Sequence, residues 1–228
     1  MTKLIIRLLK KDFTKLALIK VSMNSKASLK KMVKKTFTEN YLAESIEIFK
    51  KIDTKKLEKI ISTIVEIRKN KGRIFFLGVG GSAANASHAV NDFRKLAGIE
   101  CYAPTDNVSE LTARTNDEGW KTVFKGWLKI SKLNKNDLIF IFSVGGGNKE
   151  KKISENLIEA INFAIKVKAK ICGIVGKNGG YTNKMANYCL RIPSKNPKLI
   201  TPHAEGMQAV MWHLIISHPK IQLNKTKW

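Results

Sequence analysis

Arg73-Ile74-Phe75-Phe76-Leu77-Gly78-Val79-Gly80-Gly81-Ser82-Ala83-Ala84 decides how this chain folds. Ile74 to Leu77 form a short apolar run with no polar interruption, which suits a strand buried on both faces of a parallel sheet. Glycines follow at once, and a helix is predicted to begin near Ser82 and run through His88 and Asp92. Strand, glycine turn and helix in that order aim the unpaired N–H groups of a helix start, with the Ser82 hydroxyl, at an anion. Gly80 and Gly81 let that anion come close to the backbone. The turn is not a nucleotide P-loop, because no lysine follows its glycines. It also departs from G-x-G-x-x-G, since Ala83 holds the last glycine position and no clean acidic ribose contact accompanies it.

The same pattern recurs outward from this stretch. Asp137 to Phe142 and Lys170 to Val175 read as strands, with shorter ones around Ile99 to Ala103 and Tyr188 to Ile192. Their alternation with intervals of crossover length predicts an α/β three-layer sandwich, a five-stranded and mostly parallel sheet flanked by helices. Gly145 to Gly147, Gly176 and Gly179-Gly180 fall just past strands, on the side where open α/β sheets bind ligands. Ser143-Val144-Gly145-Gly146-Gly147-Asn148 is therefore a second candidate anion loop, and two such loops suggest a phosphorylated small molecule more than a dinucleotide. Tight turns without a ligand are the plainer alternative. Upstream, Phe13, Leu16, Ala17 and Ile19, then Phe37, Tyr41, Leu42 and Ile46, then Leu57 through Ile67 recur at helical intervals. The expected organisation is a helical region over 1–70, an α/β core over 71–218 and a tail over 219–228.

Composition narrows the function classes. A net charge of +24 over 228 residues would favour phosphate-rich partners. The lysines are dispersed, however, and no zinc-finger or aromatic-basic RNA motif is present, so a solvated lysine-rich face is expected rather than a specific nucleic-acid groove. No apolar run approaches bilayer length, and Leu4 to Leu9 is broken by Arg7 with no cleavage pattern after it, so no membrane partner is expected. Cys101, Cys172 and Cys189 show no CxxC spacing and leave an odd thiol, which points to the cytoplasm.

Two polar constellations carry the chemistry. His88 and Asp92 lie four apart and share a helix face. Glu205 and His213 lie eight apart, about 12 Å along a helix axis. Imidazoles and carboxylates hold metals and move protons near neutral pH. The bland alternative for His213 is a satisfied histidine in an apolar helix, while His203 and His218 read as helix-boundary residues. Asn116, Asp117 and Trp120 fall in a long segment between strands, either an ordinary packed turn or a substrate wall.

In order and spacing, Gly78 to Ala84, His88 with Asp92, Asn116-Asp117-Glu118-Gly119-Trp120, Ser143 to Asn148, Gly176-Lys177-Asn178-Gly179-Gly180, and Glu205 with His213 resemble the sugar isomerase (SIS) domain family, phosphoheptose isomerase group. The resemblance implies symmetric oligomers, a homodimer or homotetramer, and interconversion of sedoheptulose 7-phosphate with D-glycero-D-manno-heptose 7-phosphate using a divalent metal such as zinc. It implies that His88, Asp92, Glu205 and His213 are metal ligands and that Asp92, His213 and Glu205 are the proton-transfer groups. Gly80, Gly81, Ser82, Asn116, Asp117, Ser143, Gly145 and Asn148 would contact the phosphosugar, Asn116 and Asp117 across a subunit boundary. This chain departs from the family in several places. Asp92 replaces a longer glutamate and Glu205 a glutamine, Val79 takes an asparagine position, and Gly145 and Asn148 take serine positions. Leu96 stands where an arginine is usual, with Arg94 or Lys95 beside it to supply charge. Those changes keep two alternatives open, a non-catalytic sugar-phosphate-binding or regulatory SIS protein, and an aldose–ketose isomerase for another sugar phosphate.

Overall fold

A computed structural model describes residues 35–226 apart from Lys177. The group Phe13, Leu16, Ala17 and Ile19 lies outside the described residues. The described residues divide into two units between Glu44 and Ser45. In the first, Thr36 and Glu39 form a reciprocal capping box at the start of helix α1 (Phe37–Lys50): the Thr36 amide donates to Glu39 Oε2 at 2.8 Å, and the Glu39 amide donates to Thr36 Oγ1 at 3.2 Å.

In the second unit, Asp53 caps α2 (Thr54–Lys69) by accepting from the Lys56 amide at 3.0 Å. Leu57, Ile60, Ile61, Ile64 and Ile67 recur along that helix at the spacing of one face, and all are buried. Five strands follow: β1 (Ile74–Leu77), β2 (Cys101–Tyr102), β3 (Leu138–Ser143), β4 (Lys170–Val175) and β5 (Tyr188–Arg191). They pair in the order β2-β1-β3-β4-β5, every pairing parallel. The expected sheet is present, with shifted ends. Asp137 stays outside β3 because its carboxylate is engaged at the strand mouth, accepting from the Arg73 amide and from Arg73 Nη2 at 3.0 and 2.8 Å. The stretch 99–103 contracts to a two-residue strand before the turn at Pro104–Asp106.

Crossovers fill both faces. Helix α3 (Gly81–Ala97) links β1 to β2; α4 (Val108–Glu118) and α5 (Val123–Ile130) lead to β3; α6 (Glu155–Lys166) leads to β4, α7 (Gly180–Met185) to β5, and α8 (Ile200–Ile216) closes the core. Strand side chains alternate between two cores. Ile74, Phe76, Phe140, Phe142, Cys172 and Ile174 face α2, α3 and α8, whereas Phe75, Leu77, Ile139, Ile141 and Ile171 face α5 and α6. The segment after α8 docks back onto this layer. Ile221 is buried, the Leu223 and Asn224 amides donate to the Leu96 carbonyl at 2.8 and 3.0 Å, and Arg68 Nη1 donates to the Ile221 carbonyl at 2.6 Å.

The chain leaves β1 toward one edge of the sheet and β3 toward the other. The crevice beyond the C-terminal ends of β1 and β3 is thus the switch point where open α/β sheets bind ligands. Both glycine-rich loops start there.

Candidate active site

Helix α3 buries Ser82, Ala86, Ala89, Val90, Phe93 and Leu96, and this sets which side chains remain at its flank. His88 and Asp92, one turn apart, are on that flank, their Nε2 and Oδ2 3.9 Å apart. Helix α8 packs along α3 through Met207, Met211, Trp212 and Ile215, all buried, and turns His213 outward. The result is one group: ligand atoms of His88, Asp92 and His213 all lie within 4.8 Å of one another. Trp212 forms its floor, fully buried, stacked on the His213 ring at 3.5 Å and edge-on to the His88 ring at 4.7 Å. His213 Nδ1 donates to the Ala209 carbonyl at 2.7 Å, which leaves Nε2 as the free nitrogen. One Asp92 oxygen, Oδ1, accepts from Asn91 Nδ2 at 2.8 Å. His213 is therefore an exposed member of a polar cluster rather than a histidine satisfied inside an apolar helix.

Glu205 stands outside that group, because two helical turns separate it from His213. Its carboxylate lies over the start of α3. Ser82 Oγ donates to Glu205 Oε1 at 3.4 Å, and a Cβ placed on Gly81 would come within 2.5 Å of Oε2. A polar chain absent from the sequence reading holds this junction. Asn85 Nδ2 donates to the Glu205 carbonyl at 3.0 Å and to Gln208 Oε1 at 3.3 Å, and Gln208 Nε2 donates to the Ile174 carbonyl at 3.3 Å. The signal available in sequence was an amide on the apolar face of each helix, Gln208 being wholly buried.

The loop after β3 is built on backbone contacts. Ser143 Oγ accepts from the Gly146 amide at 2.9 Å, and the Gly146 carbonyl accepts from the Thr182 amide and hydroxyl at 2.8 and 2.9 Å. Gly146 has φ 69°, and a Cβ there would overlap the Gly179 carbonyl oxygen, so only glycine fits. Asn148 pairs antiparallel with Ile153, and its Oδ1 accepts from the Lys151 amide at 2.8 Å, closing a small lysine-rich loop. Asn116 and Asp117 occupy the last turn of α4, exposed and bonded to each other at 2.8 Å, so their segment is helix and not a packed turn. Leu96 is buried. Arg94 does not supply charge to the crevice: its Nη1 donates to the Cys101 carbonyl at 3.1 Å and its guanidinium lies 5.5 Å from the Tyr102 ring centroid. His218 pairs with Glu58 at 3.7 Å, as suits a helix-boundary residue.

Residues 39–176 match the SIS domain family. A phosphoheptose isomerase from Aliarcobacter butzleri is 31% identical over 190 residues, covering 80% of this chain and 95% of that protein. The chain belongs to the SIS family, in its phosphoheptose isomerase group. A phosphoheptose isomerase from Aneurinibacillus thermoaerophilus is 28% identical over 70% of this chain and 77% of its own length. Among solved structures, a phosphoheptose isomerase from Neisseria gonorrhoeae superposes with a TM-score of 0.68 over 78% of this chain and 94% of that one; at 23% identity this speaks for the fold alone.

The donor set of this SIS domain fits a divalent ion. Two imidazole nitrogens and a carboxylate are ordinary zinc ligands.

Proposed function

We propose that this protein is an aldose–ketose isomerase of phosphorylated sugars that interconverts sedoheptulose 7-phosphate and D-glycero-D-manno-heptose 7-phosphate. The observation that carries the reading is the gathering of His88, Asp92 and His213 on α3 and α8, where α3 is the helix into which the glycine loop after β1 opens. Isomerisation takes a proton from the carbon beside a carbonyl and returns it to the neighbouring carbon, while the oxygens exchange a proton in step. Asp92 is the base for the carbon proton, its Oδ2 facing the cluster while Asn91 holds Oδ1. His213, with Nδ1 fixed on Ala209, has a single nitrogen for the oxygen proton or for a metal, and serves one of these at a time. His88 is chiefly a ligand. A divalent ion held by His88, Asp92 and His213 would supply Lewis acidity to the substrate oxygens, and zinc suits these donors. Ser82 and Ser143, with the amides of their loops, hold the phosphate away from the reacting carbons.

Self-association as a homodimer or homotetramer belongs to the same proposal, supported by Phe37, Leu42, Ile46 and Phe49, which are all exposed on α1. A cytoplasmic setting is supported by three buried free cysteines, and no helix among the described residues is long and apolar enough to cross a membrane. The test is a product-resolving assay on sedoheptulose 7-phosphate with bound metal counted, repeated after chelation and after zinc is restored. Metal-dependent formation of the aldoheptose phosphate supports the proposal. Turnover of a different sugar phosphate alone would reassign the substrate. Binding of sugar phosphates without turnover would favour the regulatory alternative, to which the missing hydroxyls at Gly145 and Asn148 lend weight.

A further inference from the structure

We infer that Glu205 is the resident anion of the phosphate seat: its carboxylate occupies the start of α3 and must be displaced before a phosphate settles there. This rests on the phosphosugar reading above. The amides of Ala83 and Ala84 both turn back to the Gly80 carbonyl, at 2.9 and 3.2 Å. What the helix start offers an anion is therefore the amides of Gly81 and Ser82 with the Ser82 hydroxyl. Glu205 covers that position. Its Oε1 accepts from Ser82 Oγ at 3.4 Å, and its two carboxylate oxygens lie 2.5 and 2.9 Å from where a Gly81 Cβ would stand. Ser82 is only 1% exposed, and the partly buried Glu205 carboxylate is the side chain hydrogen-bonded to its hydroxyl.

The backbone beneath Glu205 is fixed by Asn85 and Gln208, which leaves displacement to the side chain alone. Two anions at hydrogen-bond distance repel strongly where water is scarce. Glu205 thus weakens any anion that brings nothing but its charge. A sugar phosphate adds contacts along its carbon chain that offset the displacement, and free inorganic phosphate has none. Glu205 is in this sense a specificity residue that keeps inorganic phosphate from blocking the site.

The experiment titrates metal-free wild-type, Glu205→Gln and Glu205→Ala proteins with inorganic phosphate, with folding of each checked by thermal melting. Both variants should bind phosphate about tenfold or more tighter than wild type. The gap should narrow as salt is raised, and adding Ser82→Ala to Glu205→Gln should abolish the gain. Equal or weaker phosphate binding by both variants overturns the inference. If wild type still turns over a sugar phosphate in that event, the proposed function stands without it. If no variant binds phosphate and no sugar phosphate is bound or converted, both fall.

Discussion

At the N-terminal ends of β1 and β3, Asp137 accepts from the Arg73 amide and guanidinium and from the Asn134 amide and side chain, all at 2.8–3.2 Å, with only 1% of its surface exposed. From the C-terminal ends of the same two strands the chain runs into glycine loops, and the loop after β1 opens into α3, which carries His88 and Asp92 of a cluster whose His88 and His213 are open to solvent. The clamp gives both Asp137 oxygens partners and ties two strands across 64 residues of sequence. The cluster leaves imidazole nitrogens and a carboxylate facing one another in the open. The clamp and the cluster share no residue, so substitutions should separate stability from chemistry.

The largest expected effect is in the open cluster. Asp92→Asn and His213→Ala should each lower sedoheptulose 7-phosphate turnover by about 10²–10⁴, while unfolding free energy changes by less than about 1 kcal/mol, since surface substitutions cost little. Near-normal turnover by metal-loaded Asp92→Asn protein would break the assignment of Asp92 as the base. At the clamped end the opposite split is expected. Asp137→Ala leaves the Arg73 guanidinium and two amides without their acceptor, and should cost about 3–5 kcal/mol in urea unfolding. The hydrogen bond to Asp137 holds the Arg73 guanidinium above its ordinary pKa, so Arg73 keeps its charge throughout the working pH range. At a temperature where the variant is still folded, its turnover per metal should stay within a few-fold of wild type.

Gly146→Ala sharpens the comparison, because tight packing and a proposed phosphate contact meet in one loop. The loop proposed to hold the phosphate is also packed backbone to backbone against Gly179 and Gly180. Strain at φ 69° should cost roughly 1–3 kcal/mol, and turnover should fall with it. Loss of activity without loss of stability would mean that the loop yields and only the ligand feels it.

Much of the architecture was legible because it follows from short-range pattern. The apolar run before Gly78, the helix periodicity of 57–67 and the four-residue spacing of His88 and Asp92 are local properties of the chain. The unread parts depended on packing or lacked a pattern. Helix α4 buries none of its residues, so it shows no apolar period; pairs of Arg114 with Glu110 and Glu118, at 2.8 and 3.1 Å, stabilise it instead. That His213 reaches His88 while Glu205 reaches Ser82 depends on how α8 lies along α3. Met207, Met211 and Trp212 set that approach by filling the space over β3 and β4, and no spacing along the chain encodes it.

Between the two ends lie the cysteines, and they carry the smallest expected effect. Burial pushes the Cys172 and Cys189 thiols up to about 12 and raises Cys101 as well. In the folded chain these thiols keep their protons at pH values where an unfolded thiol, with an ordinary value of 9.0, has lost its own. Above about pH 9 the unfolded state therefore binds fewer protons than the native one, and stability should fall as pH rises toward 12, each thiol adding at most about 1.4 kcal/mol per pH unit. Urea unfolding at pH 8 and pH 10 should show this decline, and Cys189→Ala should make it shallower. A decline of the same slope in that variant would mean that Cys189 is accessible enough to ionise in the folded state. Its reaction with an alkylating reagent at pH 8 would then be fast in native protein, whereas a sealed sheet shows rapid alkylation of all three thiols only in denaturant.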